Sequence, residues 1–207
     1  MKKIILIIAI LFISSSCLAA SVTNAVRGVV GQGAAAACAE SANEINSRRD
    51  TVDATAYSLG AGLSLCFQAT ADCSGSLGTA YLYHDSNTKV PEAKVCVYTE
   101  GDADAVADAD DVGVNSGAAT CSASIATGAT GGWKTGAFST GTVTTGQTYW
   151  LCVFVSSTDA WDTFRAGTGT IYYTTLGDLY STPPANLSAL VDTVDSFGPI
   201  DFYVTIK

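Results

Sequence analysis

Five stretches of this chain alternate two kinds of side chain residue by residue, and that period of two constrains the fold more than any other feature. Leu63, Leu65 and Phe67 alternate with Ser64, Cys66 and Gln68. Tyr81 and Tyr83 alternate with Leu82 and His84, and Val95 and Val97 with Lys94, Cys96 and Tyr98. Tyr149, Leu151, Val153 and Val155 alternate with Trp150, Cys152 and Phe154, and Phe202, Val204 and Ile206 close the chain in the same rhythm. Successive side chains of a strand point to opposite faces, so this pattern with β-branched and aromatic residues marks strands with two distinct faces. Turn residues such as Thr145-Gly146-Gln147 and Ala166-Gly167-Thr168-Gly169 separate them. No alternation of strands with helices is present, so the expectation is an all-β, antiparallel sandwich of jelly-roll type over residues 51–207, with about eight to ten strands.

The segment before it differs. Lys2 and Lys3, the apolar run Ile4 to Ile13, and the small residues up to Ala20 have the pattern of a secretory signal peptide over residues 1–20. The run is shorter than the roughly twenty residues a membrane span needs. A competing reading anchors the chain by lipid at Cys17, although Ser14 stands where that signal has an aliphatic residue. Residues 21–50 read as a linker or N-terminal arm, flexible or partly helical around Ala34 to Asn46, where Ala and Glu favour helix.

Export brings charge and cysteine into the argument. Losing Lys2 and Lys3 reduces 10 basic residues to 8 against 19 acidic ones, a charge of about −11. Such a surface repels phosphate backbones and anionic lipid, which argues against nucleic acid and membrane surfaces as partners. Without Cys17, six cysteines remain: Cys38, Cys66, Cys73, Cys96, Cys121 and Cys152. An even count in an oxidising compartment predicts up to three disulfides among fifteen pairings. Cys96 with Cys121 would pin the base of the acidic stretch between them. Cys66 with Cys73 would close a short loop and leave Cys38 for Cys152. Cys96 with Cys152, as strand neighbours, is the alternative.

Several stretches resemble a known type of module. Phe67-Gln68-Ala69-Thr70 with Ser74-Gly75-Ser76-Leu77, then Ala93 to Thr99, resemble its opening strands. Gly132-Trp133-Lys134-Thr135 and Thr144 to Leu151 are similar to its tryptophan-led strand, glycine turn and TYWL strand, and Tyr180 to Pro184 with Asp201 to Ile206 to its tail. The module is the secreted β-sandwich found in bacterial surface proteins of the "choice-of-anchor" type and in phage virion proteins. The resemblance implies a fold and names no ligand. The six cysteines and the acidic insertion after Tyr98 depart from it.

Two groups of residues could bind a ligand. Glu100, Asp102, Asp104, Asp108, Asp110 and Asp111 crowd one stretch. Calcium takes six to eight oxygen ligands, so Asp102, Asp104, Asp108 and Asp110 are candidate ligands, the alternative being a solvated acidic loop. Exposed aromatic rings stack on sugar faces, which makes Trp161, Tyr172, Tyr173 and Tyr180 the candidate glycan contacts. Trp161 lies between Asp159 and Asp162, and both exposure and burial stay open for it. Trp133 and Tyr149 read as core, where large aromatics dominate buried area. His84 stands beside Asp85 without a nucleophile motif and reads as a partly exposed strand residue. Gly-x-Ser-x-Gly is absent, so a small hydrolase is the weakest expectation. The leading one is a secreted, non-catalytic recognition or adhesion module for an extracellular glycan or surface polymer. The alternative is a structural subunit of a filament or virion, whose arm adds a strand to the open edge of another copy.

Overall fold

The computed structural model describes residues 44–48, 55–85, 89–102, 110–115, 117–127, 130–156, 158–165, 171–174, 179–190, 193–195 and 200–207. The signal segment and most of the expected arm lie outside them. In chain order the strands are β1 (Glu44–Arg48), β2 (Thr55–Leu59), β3 (Ser64–Thr70), β4 (Gly75–His84), β5 (Glu92–Thr99), β6 (Thr120–Cys121), β7 (Ile125–Ala126), β8 (Gly132–Ala137), β9 (Thr142–Val143), β10 (Thr148–Val155), β11 (Trp161–Arg165), β12 (Ile171–Thr174), β13 (Thr193–Asp195) and β14 (Phe202–Ile206). These fourteen strands among the described residues exceed the expected eight to ten, and three of them, β6, β7 and β9, are two-residue pieces.

These strands form an antiparallel β-sandwich. One sheet runs β1-β14-β4-β8 with β9 beside β4, and the other runs β13-β12-β3-β10-β5-β6 with β7 beside β5. β2 and β11 form a separate two-stranded ribbon. The period-two pattern puts Ala80, Leu82, Phe202, Val204 and Ile206 of the first sheet into one buried cluster with Leu65, Phe67, Val95, Val97, Leu151 and Val153 of the second. Phe67 meets Phe202 across the layers at 5.6 Å between ring centroids.

β1 lies inside the stretch expected to be an arm. It pairs with β14, Ile45 opposite Val204, and Ile45 is fully buried. Glu44 to Asn46 are therefore strand where a partly helical arm was expected: a sheet edge offers hydrogen bonds that outweigh a weak local helix propensity.

The second sheet is buried on both sides. Behind the sandwich core, its outer face carries Cys66, Cys96, Tyr98, Trp150, Cys152 and Phe154, all packed with Leu187. Residues 179–190 strap this face. The Tyr98 hydroxyl donates to the Pro184 carbonyl at 2.9 Å, and the Leu187 amide donates to the Asp111 carbonyl at 3.1 Å. Burial pushes the Tyr98 phenol's pKa up, so it stays a donor.

Two disulfides lie under the strap, Cys66–Cys152 and Cys96–Cys121. The second matches the expected bond. The first overturns both Cys66–Cys73 and Cys38–Cys152, because β3 and β10 bring Cys66 directly opposite Cys152. Cys73 is also disulfide-bonded, to a residue outside the described ones. Disulfides form and persist in oxidising compartments. Among the described residues no helix is long and apolar enough to cross a membrane.

The bonds close loops of sequence separation 86 and 25. Loop-closure entropy then predicts that losing Cys66–Cys152 costs about 4.6 kcal/mol and losing Cys96–Cys121 about 3.5 kcal/mol. Urea titrations of the paired-alanine variants should give this order; a reversed order would contradict it.

Candidate functional site

The outer face of the first sheet is built differently from that of the second. Leu82 and His84 of β4 point inward, so Tyr81 and Tyr83 point out. Tyr203 of β14 is directly opposite Tyr81, and Trp133 of β8 directly opposite Tyr83. The Tyr81 and Tyr203 rings stack at 4.5 Å with an interplanar angle of 5°. Trp133 meets Tyr83 edge to face at 5.4 Å and Tyr203 at 5.2 Å. β14 and β8 flank β4, so Trp133 reaches across a strand to touch Tyr203. Its ring is 37% exposed, while Trp150, Tyr98 and Phe154 on the other sheet are 1% exposed or less. Gly132, at φ 120°, supports this placement, since side chains rarely adopt that backbone conformation. Thr79, Thr135, Ala137 and Thr205 are the other outward positions beside these rings, and charge enters at the Thr205 end, where Glu44 of β1 is directly opposite Thr205 and the Lys207 side chain lies beside Gly78.

Burial corrects the reading of Trp133 and closes the one left open for Trp161. Trp133 was expected in the core and is exposed. Trp161 is fully buried, its indole N–H donating to the Tyr83 carbonyl at 2.9 Å, so its ring offers no face to a ligand. Tyr149 is core, as expected. Tyr180 belongs to the strap. Its hydroxyl donates to Glu92 and accepts from the Ser124 hydroxyl, and Lys94 Nζ lies 4.6 Å from its ring centre while donating to its carbonyl at 3.0 Å. Tyr172 and Tyr173 are in register with Cys66 and Leu65 of β3, on the sheet remote from Trp133.

The acidic stretch is described at its two ends. Asp102 and Asp110 are exposed, and buried Asp111 accepts the Gly101 amide at 3.0 Å. Asp104 and Asp108 lie outside the described residues. Beside this stretch is a cleft of about 380 Å³ lined by Glu100, Gly101, Asp102, Gly146, Gln147 and Thr148. Glu100 accepts a hydrogen bond from Gln68 Nε2 there. Among the described residues no group of three or more metal-binding side chains comes together.

His84 is fully buried, not partly exposed as expected. Its ring packs on the edge of Trp161 at 5.1 Å, and neither ring nitrogen has a partner among the described residues. Burial lowers its pKa below the ordinary 6.5, Lys134 and Lys89 acting in the same sense and Asp162 and Asp85 against it. Asp162 is held below its usual value. Burial would raise it, but Ser58, the Lys89 ammonium at 2.9 Å and His84 together outweigh that.

The chain matches no family model, and no curated protein matches it. The site is therefore read from its geometry.

Above pH 6.5, His84 is neutral in both the folded and the unfolded chain. Below it, the unfolded chain binds the proton first, so stability is lost as pH falls through the lowered value. Asp162 adds a second loss below its ordinary 3.8. Urea midpoints should fall between pH 7 and 5, and His84→Phe, which keeps a ring beside Trp161, should flatten that slope. An unchanged slope in the variant would refute the assignment.

Proposed function

We propose that this chain is an exported, non-catalytic recognition module that binds carbohydrate on the aromatic outer face of its β1-β14-β4-β8 sheet. The observation that carries the reading is Trp133, an exposed indole braced edge to face by Tyr83 and Tyr203. A sugar ring presents an apolar C–H face and a polar rim. An indole held in place fits that face, and the neighbouring threonines fit the rim. Holding the ring in place beforehand reduces the ordering cost of binding. The disulfides and the apolar segment over residues 1–20 support export.

Trp133 is surrounded by tyrosine and threonine, with Glu44 and Lys207 only at the Thr205 end, which favours a neutral glycan over a uronic or sulfated one. Binding to a neutral ligand does not rest on long-range charge, which salt screens. A second reading, assembly into a filament, is favoured by β1: an edge strand from the 21–50 stretch fixed by Ile45 could come from another copy. High-mass polymers lost on deleting residues 21–50 would favour it over the first.

Affinity electrophoresis through gels containing neutral or acidic polysaccharides tests the first reading. Wild type should be retarded by a neutral polysaccharide, equally at 50 and at about 500 mM salt. Trp133→Ala should lose retardation while remaining folded, its stability falling by about 1–3 kcal/mol for the two ring contacts it gives up. Trp161→Ala should instead lose about 3–5 kcal/mol of stability, because it empties a core position. Retardation that survives Trp133→Ala would reject the site, and no retardation by any polysaccharide would reject the function.

A further inference from the structure

Four cysteines stand in one row across four neighbouring strands. Cys66 of β3 is directly opposite Cys152 of β10, Cys152 is directly opposite Cys96 of β5, and Cys96 is directly opposite Cys121 of β6. The bonds join the two outer pairs, with Cα atoms 4.0 and 3.9 Å apart. The central pair, Cys152 and Cys96, is opposed in the same way and carries no bond.

In an antiparallel sheet each residue makes its close, non-hydrogen-bonded pair with the strand on one side and its hydrogen-bonded pair with the strand on the other. The short Cα separations mark the outer pairs as the close kind. Cys152 and Cys96 then form the hydrogen-bonded pair, with Cα atoms about 5.5 Å apart. That spacing lies inside the range of ordinary disulfides. Cys66 and Cys96 also flank Cys152 on opposite sides, on β3 and β5, so the strand order sets an incoming and a leaving cysteine on either side of it.

Access is unequal along the row. Cys66, Cys96 and Cys152 are fully buried, whereas Cys121 is half-buried on a two-residue edge strand. A reductant therefore meets Cys121 first.

We propose that the row is a thiol–disulfide relay in which reduction at the sheet edge passes inward and leaves a Cys96–Cys152 bond at the centre. The thiolate of a dithiol attacks the Cys121 sulfur and expels Cys96 as thiolate. The second thiol of the reductant closes on the first, releasing Cys121 as a thiol, and the reductant leaves as a disulfide. The Cys96 thiolate attacks Cys152: the Cys96–Cys152 bond forms, the Cys66–Cys152 bond breaks, and Cys66 leaves and takes up a proton. Two electrons enter, one protein disulfide is lost, and the sheet keeps a staple between β5 and β10.

The test is limited reduction of the native protein with dithiothreitol, raised until two thiols of the row become reactive. N-ethylmaleimide labelling and non-reducing peptide mapping follow. The relay predicts labels on Cys66 and Cys121, which are not partners in the native protein, and a linked peptide containing Cys96 and Cys152. Labels on Cys96 and Cys121 with Cys66–Cys152 intact would overturn it. The double variant Cys66→Ser, Cys121→Ser gives a second readout on material shown by circular dichroism to be folded. It should contain the Cys96–Cys152 bond, and two free thiols in it would overturn the relay. If that variant does not fold, the wild-type labelling decides alone.

Discussion

β10 is the constraint on which the rest of the structure depends. Seven of its eight residues are buried, alternating between the two faces of the sheet. A strand that is apolar on both faces needs a cover on each side. The β1-β14-β4-β8 sheet covers Tyr149, Leu151, Val153 and Val155, and the 179–190 strap covers Trp150, Cys152 and Phe154. Moving β10 by one residue would exchange the two sets and separate Cys152 from both Cys66 and Cys96.

An asymmetry follows that bears on function. The strapped sheet turns its aromatic residues into a second core and locks them with cystines. The other sheet has one buried face, and on the opposite face Trp133 is exposed, Tyr81 and Tyr83 are half-buried and Tyr203 is covered by its neighbours. Tyr81, Tyr83, Trp133 and Tyr203 gain from edge-to-face and stacked packing with one another, which holds them in place with Trp133 still exposed. An exposed aromatic ring held rigidly by its neighbours favours recognition, because it loses little freedom on binding.

Much of the fold was legible from residue patterns. Each long alternating stretch is a strand, and the Cys96–Cys121 hairpin bond is as expected. The site was less legible. Tyr81-x-Tyr83 does announce two rings on one face. Trp133, however, shares its residue type with the buried Trp150 and Trp161, and composition cannot rank them. Asp159 and Asp162 beside Trp161 suggested a wet loop, yet β11 turns that tryptophan onto His84. The buried histidine was hidden for the same reason: its alternating neighbours show that it opposes Tyr83, not how deeply its own face is covered.

By itself the sequence determined the strands and the two faces of each, because alternation is a local consequence of how the backbone sets successive side chains. The tertiary structure alone decided which cysteine meets which, which tryptophan sees solvent, and which outer face is covered. These depend on strand order and on a strap that returns from far along the chain. Contacts of that kind are made between residues that no local pattern links.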